Sequence, residues 1–208
     1  MKKMYKAIAL VLCAALLVAG SVFGTLAYLK SQSETLTNTF TAGKVKITLH
    51  EYQLDEAGKI VMTGEEGNKT PVKANGPLTG IKLVPGRVIE KNPVITVKKG
   101  SEACYLFVKI DDGLKTFATI NLDAKKWIQI GTTNIYYYKE TVSAPADNDP
   151  ATAADVEVPV FPSITCKDVT TYGNTTDISL AITAYAVQAE GFDNAAAAWS
   201  NTFGKTNG

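Results

Sequence analysis

The amino-acid sequence predicts an all-β protein, an antiparallel β-sandwich with short helices and long loops. Apolar and polar residues alternate along several short segments, as in strands that bury one face. Turn residues separate these segments, and no long stretch beyond the N-terminus has the period of an amphipathic helix. No unit recurs at a fixed period, so the sequence does not predict a solenoid or a propeller.

The first residues predict a secretory signal. Three lysines within the first six residues precede an apolar stretch over 7–22, and Thr25 and Ala27 occupy the −3 and −1 positions of a signal-peptidase site. We therefore expect a signal peptide over 1–27, cleaved between Ala27 and Tyr28. A retained membrane anchor is the alternative.

The remaining chain has a length that suits one domain. Its formal net charge is −2, because three of the 21 basic residues leave with the signal while all 20 acidic residues stay. A near-neutral chain lacks the basic surface that binds nucleic acid or an anionic membrane. No second apolar stretch reaches membrane-spanning length, so we expect no membrane contact in the mature form.

Five segments carry the clearest strand patterns. They are 45–49, 94–97, 105–110, 135–138 and 178–188. Both faces of the last segment are fairly apolar, so we expect it near the middle of a sheet.

Other stretches predict loops and turns. Residues 55–77 and 143–154 are rich in small and polar residues, which is typical of long solvated connections. Pro85 and Gly86 predict a turn. Residues 114–124 predict a short helix.

The end of the chain predicts a second short helix over 195–199. Asp193 or Asn194 can cap it, and Trp199 can dock it on the domain. We expect Trp127 and Trp199 to be core residues that bind no ligand, because apolar residues flank both.

The residues that enzymes use are sparse. His50 is the one histidine, and its place on the polar side of a strand predicts an exposed side chain. A zinc hydrolase site would lack its further ligands, and a cysteine nucleophile would have no histidine partner other than His50. No phosphate-binding or dinucleotide-binding motif occurs. We therefore expect no catalytic residue, metal or cofactor, and no enzyme activity.

Two cysteines lie beyond the signal, Cys104 and Cys166. Export permits a disulfide between them. Two buried free thiols are the alternative.

The start of the mature chain is a polar arm over 28–42, ahead of the sandwich domain over 43–208. Such an arm can add as a strand to an open sheet edge through main-chain hydrogen bonds. A disordered tail and an ordinary first strand are the alternatives. The candidate donor-strand residues are Tyr28, Leu29, Leu36, Asn38 and Phe40.

The order of several segments resembles the TasA/camelysin family of secreted biofilm-matrix fibre proteins, which have a SipW-type signal peptide. The similar segments are Gly24–Ile47, Leu83–Gly86, Lys91–Val97, Cys104–Ile110 and Ile182–Phe192. The resemblance does not extend to the two long loops or to the region around Trp127. The metalloprotease label of camelysin-like members is not carried over, because this chain lacks a set of zinc ligands.

The resemblance implies a jelly-roll sandwich that a dedicated signal peptidase releases from a Gram-positive bacterium. It also implies a homopolymer in the extracellular matrix or on the cell surface, built head to tail by donor-strand complementation, with other matrix proteins as further partners. We therefore expect a structural fibre subunit. A monomeric secreted adhesin or binding module with the same sandwich is the alternative, and a secreted hydrolase is disfavoured.

Overall fold

Short strands and one helix make up the part of the chain that the computed structural model describes, residues 30–33, 40–42, 44–76, 78, 83–150, 153–168 and 179–204. The elements are β1 (Lys30–Ser33), β2 (Phe40–Ala42), β3 (Val45–His50), β4 (Met62–Thr63), β5 (Thr70–Pro71), β6 (Val88–Ile89), β7 (Val94–Val97), β8 (Cys104–Asp112), β9 (Ala118–Ile120), β10 (Trp127–Gln129), β11 (Ile135–Tyr138), β12 (Val156–Pro159), β13 (Ile164–Cys166), β14 (Leu180–Gln188) and α1 (Ala195–Thr202).

Antiparallel pairing arranges these strands into two main sheets. The five-stranded sheet has the order β1-β14-β8-β11-β10, and the four-stranded sheet has the order β12-β7-β3-β2. A smaller sheet, β6-β13-β9, contributes to the same core, and β4 pairs with β5. The prediction of an all-β, antiparallel, sandwich-like fold is confirmed.

The two longest strands form the centre of the five-stranded sheet. β8 and β14 pair along their whole length, from Leu180 opposite Asp112 to Gln188 opposite Cys104. Leu106 and Val108 on β8 are fully buried in the main core, whereas Phe107 between them faces the other side of the sheet. The alternation of the sequence therefore places one face of this sheet on the sandwich core.

The main core lies between the two large sheets. The four-stranded sheet contributes buried aliphatic side chains from β3 and β7, among them Ile47, Ile95 and Val97, each with no exposed surface. Burying a side chain of this size contributes about 1.5–3 kcal/mol. The core depends on strands that are distant in sequence, so these separate segments must come together before it is complete.

Helix α1 covers the outer face of the five-stranded sheet. Asn194 caps it, because its Oδ1 accepts a hydrogen bond from the backbone N–H of Ala197 at 2.9 Å. Trp199 packs on Phe107 and Phe203, at ring-centroid distances of 5.1 and 4.5 Å. The predicted helix and its docking residue are confirmed, although Trp199 is only half-buried whereas Trp127 is fully buried.

Two regions have a secondary structure that differs from the prediction. Within 55–77, β4 and β5 form a hairpin, and the backbone bonds Val61 N to Gln53 O (2.8 Å) and Gln53 N to Val72 O (2.8 Å) extend its pairing. The helix predicted over 114–124 is wrong, because a turn after Leu114 leads directly into β9. β9 pairs with β13, and this tertiary pairing overrides the local helical tendency.

Two of the predicted connections are held by specific contacts. At the predicted turn, Gly86 has a φ of +72°, and Arg87 N donates to Val84 O at 3.0 Å. The loop that starts at Ser143 is anchored by Lys99, whose Nζ donates to the carbonyl oxygens of Asp149 (2.7 Å) and Pro150 (3.2 Å). The lysine fixes the path of this polar loop.

The two cysteines are buried free thiols, which is the second of the two alternatives that the sequence left open. Cys104 is the first residue of β8, whereas Cys166 pairs with Ala118, which follows the far end of that strand. β8 spans eight strand steps of about 3.4 Å, roughly 27 Å, and Ala118 lines the same depression as Ile110 and Asp112 near its far end. The two thiols therefore lie toward opposite ends of β8, beyond the reach of a disulfide.

Candidate assembly interface

The first described segment of the chain lies on the edge of the five-stranded sheet. β1 pairs antiparallel with β14, with Lys30 opposite Val187 and Ser33 opposite Ala184. This pairing joins the N-terminal segment to the last strand of the same chain. The edge of β14 is therefore a site that accepts a strand.

The two sides of β14 are covered to different extents. β8 pairs with all nine residues of β14, Leu180–Gln188. On the opposite side, β1 pairs with four of them, Ala184–Val187, within the described residues. β1 is therefore the smaller of the two partners that hold β14 in its sheet.

The composition of β1 limits how tightly it can be held. Its sequence is Lys-Ser-Gln-Ser, so it offers no large apolar side chain to bury. A backbone hydrogen bond contributes a net stabilisation of about 0.5–1.5 kcal/mol, and ordering a residue costs about 1–2 kcal/mol. For a short polar strand, the stabilisation from hydrogen bonds and the cost of ordering the backbone nearly cancel. Such a strand can therefore leave the sheet edge at a small cost in free energy, which favours exchange.

The segment after β1 belongs to the other sheet. β2 pairs with β3, and Phe40 lies opposite Ile47. Phe40, proposed as a donor residue, is therefore placed in the four-stranded sheet and not on β14. Tyr28, Leu29, Leu36 and Asn38 lie outside the described residues, as does the cleavage position at Ala27.

A second polar cluster surrounds His50 on the outer face of the four-stranded sheet. The prediction of an exposed histidine is wrong, because only 9% of His50 is accessible. Tyr52 packs edge-on against its ring, with centroids 5.4 Å apart. The Nδ1 atom of His50 is 3.3 Å from Thr96 Oγ1, and its Nε2 atom is 3.9 Å from Glu157 Oε1.

Glu157 connects this cluster to the segment that follows the β4–β5 hairpin. Lys73 Nζ lies 3.2 Å from Glu157 Oε1, and Tyr52 and Lys73 form an isolated β-bridge. Burial lowers the pKa of His50, and the positive charge of Lys73 lowers it further. The negative charge of Glu157 opposes this shift, and the hydroxyl beside the imidazole is that of Thr96, 3.3 Å from Nδ1.

A depression of about 310 Å³ lies at the far end of β8. Its lining includes Asp112, Lys115 and Lys167. Asp112 Oδ1 accepts from Leu114 N at 2.9 Å, and Lys167 Nζ donates to the carbonyl oxygen of Lys115.

Among the described ranges, no group of three or more His, Cys, Asp or Glu residues is arranged to hold a metal ion. In the same part of the chain, no helix is both long and apolar enough to cross a membrane.

Comparison with known proteins gives no relative on which to base a function. No protein-family model matches the chain, and no curated protein or solved structure matches it.

Proposed function

We propose that this chain is a secreted structural subunit that polymerises into extracellular or biofilm-matrix fibres by donating its N-terminal strand to the next subunit. The observation that carries the proposal is the pairing of β1 with β14. It supplies both parts of the mechanism, a short polar strand near the start of the chain and an edge that accepts it.

Exchange of β1 between subunits preserves the bonds that the single chain makes. If β1 leaves its own β14 and lies on that of a neighbour, the same four residue pairs form again, with Lys30 opposite Val187 at one end. The neighbour then donates its own β1 onward. Such a head-to-tail contact is heterologous and does not close on itself, so it produces a filament.

The sequence supports an extracellular location for this assembly. The predicted signal peptide over 1–27 directs export, and the resemblance to TasA/camelysin proteins supports a dedicated signal peptidase, a Gram-positive source and other matrix proteins as further partners. Neither argument involves an enzymatic activity, and we assign none.

Electron microscopy of the purified secreted chain tests the proposal. We expect filaments from the intact chain, and a folded monomer without filaments after deletion of residues 28–38. Removal of residues 205–208 is the control for shortening a chain end, and it should leave the filaments unchanged. Filaments of normal diameter from the chain that lacks 28–38 would refute donation by this arm.

A monomeric adhesin or binding module remains the second candidate. The pairing of β1 with β14 inside one chain is the arrangement that a monomer would keep. If the intact chain stays monomeric at high concentration and forms no filaments, this second function is supported instead.

A further inference from the structure

Asn75 and Gly76 lie at the end of the segment that follows β5. Asn75 is exposed, and Gly76 is half-buried. The last backbone bond before them joins Ala74 N to Glu51 O, at 2.8 Å. Across the described ranges, no residue accepts a hydrogen bond from Gly76 N or bonds to the Asn75 side chain. The described part of the fold therefore does not hold the amide groups of these two residues in place.

An asparagine followed by glycine is the sequence most prone to spontaneous deamidation. In this reaction the backbone nitrogen of the second residue attacks the side-chain carbonyl carbon of the asparagine. A side chain on the second residue hinders the approach, whereas glycine has none and reaches the widest range of backbone conformations. Hydrogen bonds to either group slow the attack, because they must first be broken.

The other asparagines of the described ranges are each followed by a residue that has a side chain. Asn134, for example, precedes an isoleucine, and its Nδ2 donates to Asp111 Oδ1 at 2.6 Å. A second Asn-Gly sequence, at 207–208, lies outside the described residues. Among the described asparagines, a reactive sequence and an open structure therefore coincide at Asn75.

We infer that Asn75 is a site of non-enzymatic deamidation, which converts it to aspartate or isoaspartate. Gly76 N bonds to Asn75 Cγ, the bond from Cγ to the side-chain nitrogen breaks, and ammonia leaves with the proton that Gly76 N gives up. Water then opens the cyclic succinimide. Opening at Cγ gives aspartate, and opening at the backbone carbonyl carbon gives isoaspartate, in which the main chain runs through the former side chain. This inference does not depend on the proposed function.

Either product adds a negative charge to the segment that carries Lys73. The modified residue comes two positions after Lys73, whose Nζ lies 3.2 Å from Glu157 Oε1. Deamidation therefore places an additional carboxylate on the segment that forms this ion pair. Because no enzyme is needed, the modified fraction should grow with the age of the protein.

Peptide mass spectrometry of the purified secreted chain, aged at mildly alkaline pH, tests the inference. Trypsin cleaves after lysine and yields residues 74–82, whose one asparagine is Asn75, and residues 127–139, whose one asparagine is Asn134. We expect deamidation in 74–82 to be at least about tenfold faster than in 127–139, because glycine does not hinder the attack. Equal rates in the two peptides overturn the inference.

Gly76→Ala is the matched variant, because it changes the attacking residue and leaves Asn75 in place. A Cβ atom at position 76 would meet no described atom within 4 Å, and the φ of Gly76 is outside the left-handed region. The variant should therefore fold, and it should deamidate at Asn75 about tenfold more slowly than the parent chain. If it does not fold, both chains are compared in urea, where the same ratio is expected. An unchanged rate at Asn75 contradicts the inference.

Comparison of the folded and urea-unfolded parent chain tests the structural part of the inference. The rate at Asn75 should differ by less than about threefold between the two states, because a segment without protecting bonds behaves like an unfolded one. Protection of Asn75 by more than about tenfold in the folded chain would show that the fold closes this site.

Discussion

Trp127 donates a hydrogen bond from its indole Nε1 to the carbonyl oxygen of Pro159, at 3.1 Å. The bond joins β10, an edge strand of the five-stranded sheet, to β12, an edge strand of the four-stranded sheet. Proline has no N–H to offer a further strand. This side of the sandwich is therefore closed by a buried tryptophan and a proline, whereas the opposite side is closed by β1 and β2.

Replacement of Trp127 tests how much this closure stabilises the fold. We expect Trp127→Phe to lower the free energy of unfolding by about 1–3 kcal/mol, because it leaves the Pro159 carbonyl without its partner. Trp127→Ala should lower it by about 3–5 kcal/mol, the range for truncating a large core residue. Urea denaturation measures both, and a loss below about 0.5 kcal/mol for Trp127→Phe would show that the bond is dispensable.

Trp199 offers a comparison on the other face of the five-stranded sheet. It is only half-buried, but its ring lies 5.1 Å from Phe107 and 5.3 Å from Tyr185. We expect Trp199→Ala to reduce stability by about 3 kcal/mol, at the low end for such truncations. A loss below about 1 kcal/mol in the same denaturant assay would mean that α1 is not held by this residue.

His50 should make the free energy of unfolding decrease as the pH falls through 6.5. Its pKa is lowered from 6.5 by burial and by Lys73 and Lys98, while Glu157 opposes them. The unfolded chain therefore binds a proton first as the pH falls through 6.5, and the free energy of unfolding decreases until the folded pKa is passed.

Urea melts of His50→Gln are the control for this pH dependence. The variant should lose the slope around pH 6.5 even if its overall stability is lower. Glu90 and Asp155 also have lowered pKa values, from 4.5 and 3.8, through bonds to Lys59 and to Lys99 respectively. Their stabilisation is lost only in more acidic solution, so an unchanged slope in His50→Gln around pH 6.5 contradicts the assignment to His50.

The buried thiols should not react with thiol-specific reagents in the folded chain. Burial raises the pKa of Cys104 to about 12, so almost no thiolate forms near neutral pH. We expect a thiol-specific reagent to label neither Cys104 nor Cys166 until denaturant is added, and then to label both. Resistance to labelling in denaturant without reductant would instead reveal a disulfide.

A cysteine pair placed across β1 and β14 should distinguish self-pairing from donation. Lys30 and Val187 are directly opposed, and opposed Cα atoms in antiparallel strands lie about 4.5–5.5 Å apart, within disulfide range. Oxidised filaments of the variant Lys30→Cys/Val187→Cys should run as a ladder on a non-reducing gel. The same variant oxidised as a monomer should run as one band and fail to assemble.

Each single-cysteine variant is a control for that experiment, because neither should produce a ladder. Oxidised filaments that release only monomers without reductant would show that β1 stays on its own chain within the fibre.

The central strands could be predicted because the residues of each of their two faces alternate in the sequence. Leu106 and Val108 alternate with Phe107, and the structure places them on opposite sides of the five-stranded sheet. Asn194 was one of two candidate caps, and its side chain makes the capping bond. Local pattern and tertiary environment agree at these positions.

The burial of His50 could not be predicted, because it depends on residues beyond its own strand. Its position on the polar side of β3 predicts exposure, but Tyr52 packs on its ring and Glu157 approaches from β12. The separation of Cys104 from Cys166 also arises from long-range pairing. The place of β1 could be expected only as an edge strand, since a polar segment does not specify which sheet it joins.

The short connection between β1 and β2 sets the geometry of an exchanged fibre. Ser33 ends β1 and Phe40 begins β2, so seven Cα steps separate them. A fully extended chain spans at most about 25 Å over seven residues. A donor whose β2 stays in its own sandwich can reach only an acceptor that touches it. In the proposed fibre, successive sandwiches should therefore be in direct contact, with an axial repeat close to the length of one sandwich. Flexible linkers between separated subunits are not expected.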